Sequence, residues 1–254
     1  MNWTDEGLII GSRPHGESGL ILEVMTRAHG RHLGLVHGGR GRRLRPVLQA
    51  GNGVLLAWRA RLDEQLGTFT VEPETMRAAR LLSSPLALYG LSTLAAHLRL
   101  LPERDPHPEL FDAASRLADE LDRPGTAAAA FVRFEAQLLA ELGFGLDLTA
   151  CAATGRADDL AFVSPKSGRA VGRVAGEPYR TRLLPLPAFL LAAAAAAPGP
   201  EDLRAGFALT GHFLRVHVWE PRAEPAPDAR GRLAAWASGE AGAQSAMGRL
   251  SEAN

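Results

Sequence analysis

Arg40, Arg42, Arg43 and Arg45 stand within six residues of one another, set among Gly38, Gly39 and Gly41. Guanidinium groups at that density, on a backbone that glycine lets approach a ligand closely, suit phosphate oxygens. Arg59 and Arg61 alternate with Trp58, Ala60 and Leu62, a spacing that puts charge on one face of a strand and apolar groups on the other. With Arg27 and Arg31 upstream, these side chains are the candidate contacts to a polyanionic backbone.

The charge distribution agrees. The 254-residue chain has 28 basic and 28 acidic residues and a formal net charge of zero. Up to Arg61, however, nine arginines face only four acids, Asp5, Glu6, Glu17 and Glu23, so this segment carries +5 and the remainder −5. Such asymmetry is expected of one module that binds nucleic acid joined to another that does something else. Lys166 is the only lysine; an Arg and Ala excess of this kind has the look of GC-rich coding, so clustering carries more weight here than the arginine count.

Catalytic constellations are not found. His15, His29, His32 and His37 fall in the first segment, but none has the HExxH or HxH spacing of a metal site and no cysteine is near. GGRGRR lacks the Lys-Ser/Thr of a nucleoside-triphosphate loop, and no G-x-S-x-G is present. The reading is therefore of a protein that is not an enzyme.

The elements that must hold these residues change period once. Five short apolar segments, Gly7–Ser12, Leu20–Thr26, His32–Val36, Val54–Leu62 and Leu66–Val71, are separated by Gly, Pro and charged turns, which predicts a small five-stranded barrel. From Pro73 the pattern turns helical, with helices predicted over Glu74–Leu82, Pro85–Leu101, Pro108–Leu121, Thr126–Leu142, Pro187–Ala196 and Glu201–Val218. In the fourth, Phe131, Phe134, Leu138 and Leu142 share one face and Gly143 supplies a stop. The stretch Phe144–Thr181 is irregular and reads as an inserted subdomain, and the tail after Pro221 is polar and expected to fray beyond about Ser238. Before Val71 the only aromatic residues are Trp3, Trp58 and Phe69, so binding is expected to be phosphate-led, salt-sensitive and weakly sequence-selective.

The 46% hydrophobic content supports a real core. A lone cysteine, Cys151, excludes an internal disulfide and fits a reducing compartment. MNWTDEGLIIG does not read as a signal peptide, and LLPLPAFLLAAAAAAP is broken by Pro185 and Pro187 and too short to span a bilayer. A cytoplasmic protein with no membrane partner is expected.

SRPHGESGLILEVMTRAHGRHLGLVHGG, LRPVLQ, LGTFTVEPE, VRFEAQLLAELGFGLDLTACAATG and FVSPKSGRAV occur in this order along nearly the whole chain, which resembles the recombination mediator RecO family. The resemblance implies an α+β multidomain protein. Residues 1–73 would form an N-terminal five-stranded OB-fold β-barrel, and an all-helical domain would follow in two parts, 74–143 and 182–240. A degenerate zinc-finger-like insertion would occupy 144–181, and 241–254 would be a disordered tail. It further implies a nucleoid-associated DNA repair protein that binds single- and double-stranded DNA, anneals complementary strands and, with RecR, helps load RecA onto DNA coated with single-strand-binding protein. In the family the helical domain receives the acidic, Phe-ending tail of single-strand-binding protein; Arg133, with Leu138 and Leu139, is the candidate site. An Arg133 paired with Glu135 or Glu141 on an exposed face is the competing reading.

Some relatives bind zinc through C-x2-C…C-x2-C. Here Cys151 and Thr154, then Ser164 and Ser167, stand at that spacing, and one thiolate cannot replace four. No cofactor is expected, and Cys151 reads as a buried small hydrophobe or relic ligand. Two other readings stay open, an RNA-binding barrel and a scaffold that bridges proteins without nucleic acid.

Overall fold

The computed structural model describes residues 1–62, 64–191 and 197–239. Five strands, β1 (Asn2–His15), β2 (Gly19–Thr26), β3 (Gly30–Val36), β4 (Gly53–Arg59) and β5 (Thr68–Thr75), form a barrel in the order β1-β2-β3-β5-β4. β1 serves two neighbours. Asn2–Leu8 pair with β4, Gly7–His15 pair with β2, and a bulge at Ile9/Gly11 bends the strand between them. The closing seam is thin, a single parallel rung from Leu35 to Thr68. This is the five-stranded OB-like architecture expected from the alternating pattern.

Four of the predicted strands, β1, β2, β3 and β5, are longer than their apolar runs, whereas β4 ends at Arg59, short of the predicted Leu62. β1 begins at Asn2 and ends at His15 because ladder pairing recruits polar residues that the pattern alone leaves out. β5 continues through Pro73 to Thr75 opposite Gly53 and Val54, so the helix predicted from Glu74 is reduced to one turn, α1 (Ala78–Leu81). α2 (Pro85–Leu98) and α3 (Pro108–Glu120) lie where predicted, each entered through proline at its first position. Residues Met1–Asp122 make one compact unit and Arg123–Asn254 a second. The division at 122 contrasts with the divisions at 73 and 143 read from the sequence, since α1–α3 belong with the barrel.

In the second unit α4 (Ala127–Glu141) buries Phe131, Phe134 and Leu138. It stops at Gly143, whose φ is +86°; the N–H groups of Gly143 and Phe144 bond to the carbonyls of Ala140 and Leu139, a Schellman ending. The irregular stretch folds into β6 (Leu160–Val163) and β7 (Ala170–Gly172), a short helix α5 (Arg173–Gly176) and a 3-10 turn, and β8 (Leu184–Pro185) completes a sheet ordered β7-β6-β8. Of the predicted helix Pro187–Ala196 the described part is a 3-10 turn at Ala188–Leu190; 192–196 lie outside the described residues. α6 (Pro200–Leu214) runs through a π turn (Arg215–Trp219) into α7 (Glu220–Arg222).

A further helix, α8 (Asp228–Ala237), lies where the sequence suggests only a polar tail. Its apolar signal is weak, Leu233 and Ala237 being its buried residues. Arg230 fastens it instead, donating to both carboxylate oxygens of fully buried Glu135 at 2.7 and 2.9 Å. The expected tail 241–254 lies outside the described residues.

Candidate nucleic-acid interface

The arginine-rich loop between β3 and β4 is a chain of tight turns. The N–H of Gly41 bonds to Gly38 C=O at 2.9 Å, and those of Arg45 and Leu48 bond to the carbonyls of Gly41 and Leu44 at 3.0 and 2.9 Å. Val47 and Leu48 plug the barrel core beside Ile9, Leu22, Val24 and Trp58. Asn52, with no solvent access, clamps the loop end: its amide N–H2 donates to Pro46 and Val47 C=O, both at 2.9 Å, and its Oδ1 accepts the N–H groups of Arg77 and Ala78, both at 2.8 Å. Sequence reasoning did not single out Asn52; an Asn before Gly between strands reads as an ordinary turn.

This anchoring presents Arg40, Arg42, Arg43 and Arg45 to solvent. Arg40 also donates to Glu17 C=O at 2.9 Å, tying the loop to the β1–β2 turn. Among the described residues none of the four has an acidic partner. Arg59 and Arg61, at and beyond the end of β4, are likewise exposed.

Arg27 and Arg31 are placed otherwise. Arg27 pairs with Glu6 at 3.0 Å and Asp112 at 2.6 Å, lies over the Phe111 ring, and has its pKa raised, first by the Asp112 hydrogen bond and then by Glu6. Arg31 pairs with Glu23 at 2.9 Å and Glu103 at 3.4 Å, and its side chain is 15% exposed. Each arginine thus pairs with one acid of the barrel strands, Glu6 or Glu23, and one on α3 or its approach, Asp112 or Glu103.

The scarce aromatics prove to be gathered. Trp3, Trp58 and Phe69 converge with His29 and His32 at one end of the barrel. Gly34 and Gly67 make room: a Cβ on either would stand 2.3 Å from Phe69 or Trp58 respectively. Burial holds the His32 pKa below its ordinary value despite the hydrogen bond to Leu33 C=O.

Three shallow pockets adjoin one another across this surface. One of about 250 Å³ is bordered by His37, Arg43, Thr68 and Thr70. The next, about 410 Å³, shares Thr68 and Thr70 with it and adds Arg59, Trp3 and Trp58. The third, about 380 Å³, shares Trp3 and Trp58 and is bordered by His29 and Arg104.

In the second unit Arg133 is exposed, but neither predicted acid holds it. Its Nε donates to Phe189 C=O at 3.2 Å and its guanidinium lies over the Phe189 ring. Leu138 and Leu139 are both fully buried in the core and offer no surface to a partner.

The zinc-finger-like loop does not fit zinc. Cys151 Sγ accepts the Gly172 N–H at 3.2 Å. That bond, then the Thr154 hydroxyl, outweigh burial and lower the thiol pKa to about 7. His212 reaches the loop only to face Pro165 C=O at 3.3 Å. Among the described residues no three His, Cys, Asp or Glu side chains gather as a metal site. Nor is any described helix long and apolar enough to cross a membrane.

Comparison with known proteins is consistent along the chain. Residues 1–76 match the family described as Recombination protein O N terminal, and residues 82–224 match Recombination protein O C terminal. DNA repair protein RecO of Methylobacterium nodulans is 60% identical over 246 residues, covering 95% of this chain and all of that protein. DNA repair protein RecO of Methylorubrum extorquens is 58% identical, with 94% of this chain and all of its own length covered. That of Brucella abortus is 56% identical over 91% of this chain and 93% of its own. With an N-terminal OB-like barrel, helices after it in the chain and full-length relatives at this identity, the chain belongs to the RecO family.

Proposed function

We propose that this chain serves DNA repair and recombination as a non-catalytic DNA-binding mediator. Its relatives are named as DNA repair proteins, which supports the repair role. One observation carries the binding mode: the arginines nearest acids, Arg27 and Arg31, are neutralised, whereas Arg42, Arg43 and Arg45 stand exposed on an anchored loop without acidic partners among the described residues. Fixed, uncompensated cations lower the repulsion between two phosphate backbones, so the same surface favours annealing of complementary single strands and tolerates a duplex.

The finer reading follows the family. The protein joins RecR and the acidic, Phe-ending tail of single-strand-binding protein, helps RecA load onto coated DNA, and works at the nucleoid without a cofactor. For the tail, exposed Arg133 supplies a cation for a terminal carboxylate, its guanidinium seated on the buried Phe189 ring. The test is fluorescence anisotropy of the full chain with labelled single strands, duplex and an RNA hairpin across a salt series, with tail peptide added in parallel. Steep salt dependence on DNA and peptide binding abolished in Arg133→Ala are expected. Equal preference for the RNA hairpin favours the RNA reading, and absence of DNA binding with peptide binding intact favours the scaffold.

A further inference from the structure

Trp58, Trp3 and His29 form a run of near-parallel rings. The two indoles are 5.6 Å apart at 18°, and Trp3 and His29 are 4.1 Å apart at 8°. Solvent reaches the outer two rings and not the inner one: Trp58 is 2% exposed, Trp3 is half-buried and the His29 side chain is 33% exposed. The accessible end is also the rigid one. His29 Nδ1 lies 2.9 Å from Asp5 Oδ2, and the same carboxylate accepts the N–H groups of Ala28 and Glu6 at 2.7 and 2.9 Å. Asp5 is itself buried, so it fixes the imidazole plane that solvent reaches.

All three rings of the run border the pocket of about 380 Å³, with His29 the partly exposed ring at the end of the run, and the volume is within the range of small-ligand sites. Arg104 stands at its border in a left-handed backbone conformation, φ +65°. It is held by its N–H on Arg31 C=O at 2.9 Å and by its guanidinium on Gln65 C=O at 3.0 Å. A non-glycine residue kept at positive φ is strained, and here the strain sets a cation beside an exposed aromatic face.

We propose that this pocket receives one unstacked nucleobase of single-stranded DNA, which continues the ring run from His29 while Arg104 meets the neighbouring phosphate. The proposal rests on the DNA-binding reading above and deepens it, adding a base contact to binding otherwise led by phosphates. Ring on ring is the recognition that single-strand-binding barrels use, and it is tolerant of sequence because every base has a π face. Charge along the surface selects a nucleic acid over an aromatic side chain of a protein. Each of the three adjoining pockets carries one arginine, Arg43, Arg59 and Arg104 in turn, a row matched to a backbone of repeated phosphates. His32, itself buried, borders the pocket with its Nδ1 donating to Leu33 C=O at 3.0 Å.

The experiment uses the full chain and two labelled single strands of the same length, one of thymidines and one in which abasic residues replace some of them, across a salt series. The abasic strand is expected to bind roughly 5- to 100-fold more weakly with an unchanged salt slope, because its phosphates are the same. Trp3→Leu and His29→Ala are each expected to bind the thymidine strand about as weakly as the wild type binds the abasic one. Equal wild-type affinity for the two strands, or full discrimination kept by folded His29→Ala, overturns the base pocket while salt-dependent binding keeps the DNA reading. Failure to bind either strand at low salt overturns the DNA reading and the pocket with it. The wild-type comparison decides even if Trp3→Leu does not fold.

Discussion

Asn52 Oδ1 accepts the backbone N–H of Arg77 at 2.8 Å, which joins the end of the arginine loop to the turn that starts the first helix. The same side chain donates to two loop carbonyls, so one buried amide satisfies four backbone groups at once. Asn52→Ala leaves the three buried ones, Val47 C=O and the N–H groups of Arg77 and Ala78, without this partner, at about 1–3 kcal/mol for an unsatisfied group. A loss of about 3 kcal/mol or more in urea unfolding is expected, and a loss below about 1 kcal/mol would show that the loop is held by Val47 and Leu48 alone.

The exposed and the neutralised arginines should separate in a salt titration. Replacing Arg40, Arg42, Arg43 and Arg45 with Ala is expected to flatten the dependence of log K on log salt by about 0.7 for each single-strand phosphate no longer neutralised, with stability nearly unchanged. Arg27→Ala is expected to do the reverse, weakening the packing of α3 on the barrel while leaving the slope, because Glu6 and Asp112 already take its charge. An unchanged slope in the quadruple variant would remove the loop from the DNA interface.

How far the sequence reaches is seen in these two groups. The Phe131, Phe134, Leu138 face is local and lies buried as its period requires; of the alternation around Trp58 only Trp58 is buried, since β4 ends at Arg59 and Leu62 is 53% exposed. The ladder that carries β5 to Thr75, the Glu6 and Asp112 partners of Arg27, and the meeting of Trp3 with His29 depend on residues up to 85 positions apart, as with Arg27 and Asp112. Nothing in spacing brings them together. α8 is illegible for another reason: a buried ion pair, not an apolar stripe, holds it, and an arginine in a polar run carries no mark of its partner.

Acid should weaken the barrel through His32. Its pKa lies below the ordinary 6.5 because burial disfavours the imidazolium. The stability it contributes is complete above 6.5, where both folded and unfolded chains hold it neutral, and is lost as pH falls through the lower folded value, because the unfolded chain takes up the proton first. Melting temperature is expected to drop over that window, and the drop should be smaller in His32→Phe. Identical profiles would assign the acid sensitivity to other groups.

Breaking the buried pair between Arg230 and Glu135 should cost far more than breaking a surface pair. Glu135 has no solvent access and also accepts the Thr210 hydroxyl at 2.5 Å. Arg230→Ala removes the cation that faces that buried carboxylate and is expected to destabilise the second unit by about 3–5 kcal/mol, with α8 released first. The double variant Arg230→Met with Glu135→Leu, which removes both charges, should recover part of the loss. Hydrogen exchange across 228–237 reads the release directly, and unchanged protection in Arg230→Ala would mean that Leu233 and Ala237 suffice.

The cysteine loop offers a last test, one in which metal and proton give different answers. Cys151 is favoured as a thiolate in the folded chain, its pKa lowered from 9.0 to about 7 chiefly by the Gly172 N–H. A lowered acid pKa contributes stability that is present above the unfolded value and lost as pH falls through the folded one. The advantage of the wild type over Cys151→Ser should therefore grow from about pH 7 toward pH 9. Chelation by EDTA should change neither melting curve, because a single thiolate among the hydroxyls of Thr154, Ser164 and Ser167 is too poor a donor set for structural zinc. A melting temperature lowered by EDTA and restored by zinc would overturn the metal-free reading, whereas a flat difference between wild type and Cys151→Ser would overturn the thiolate one.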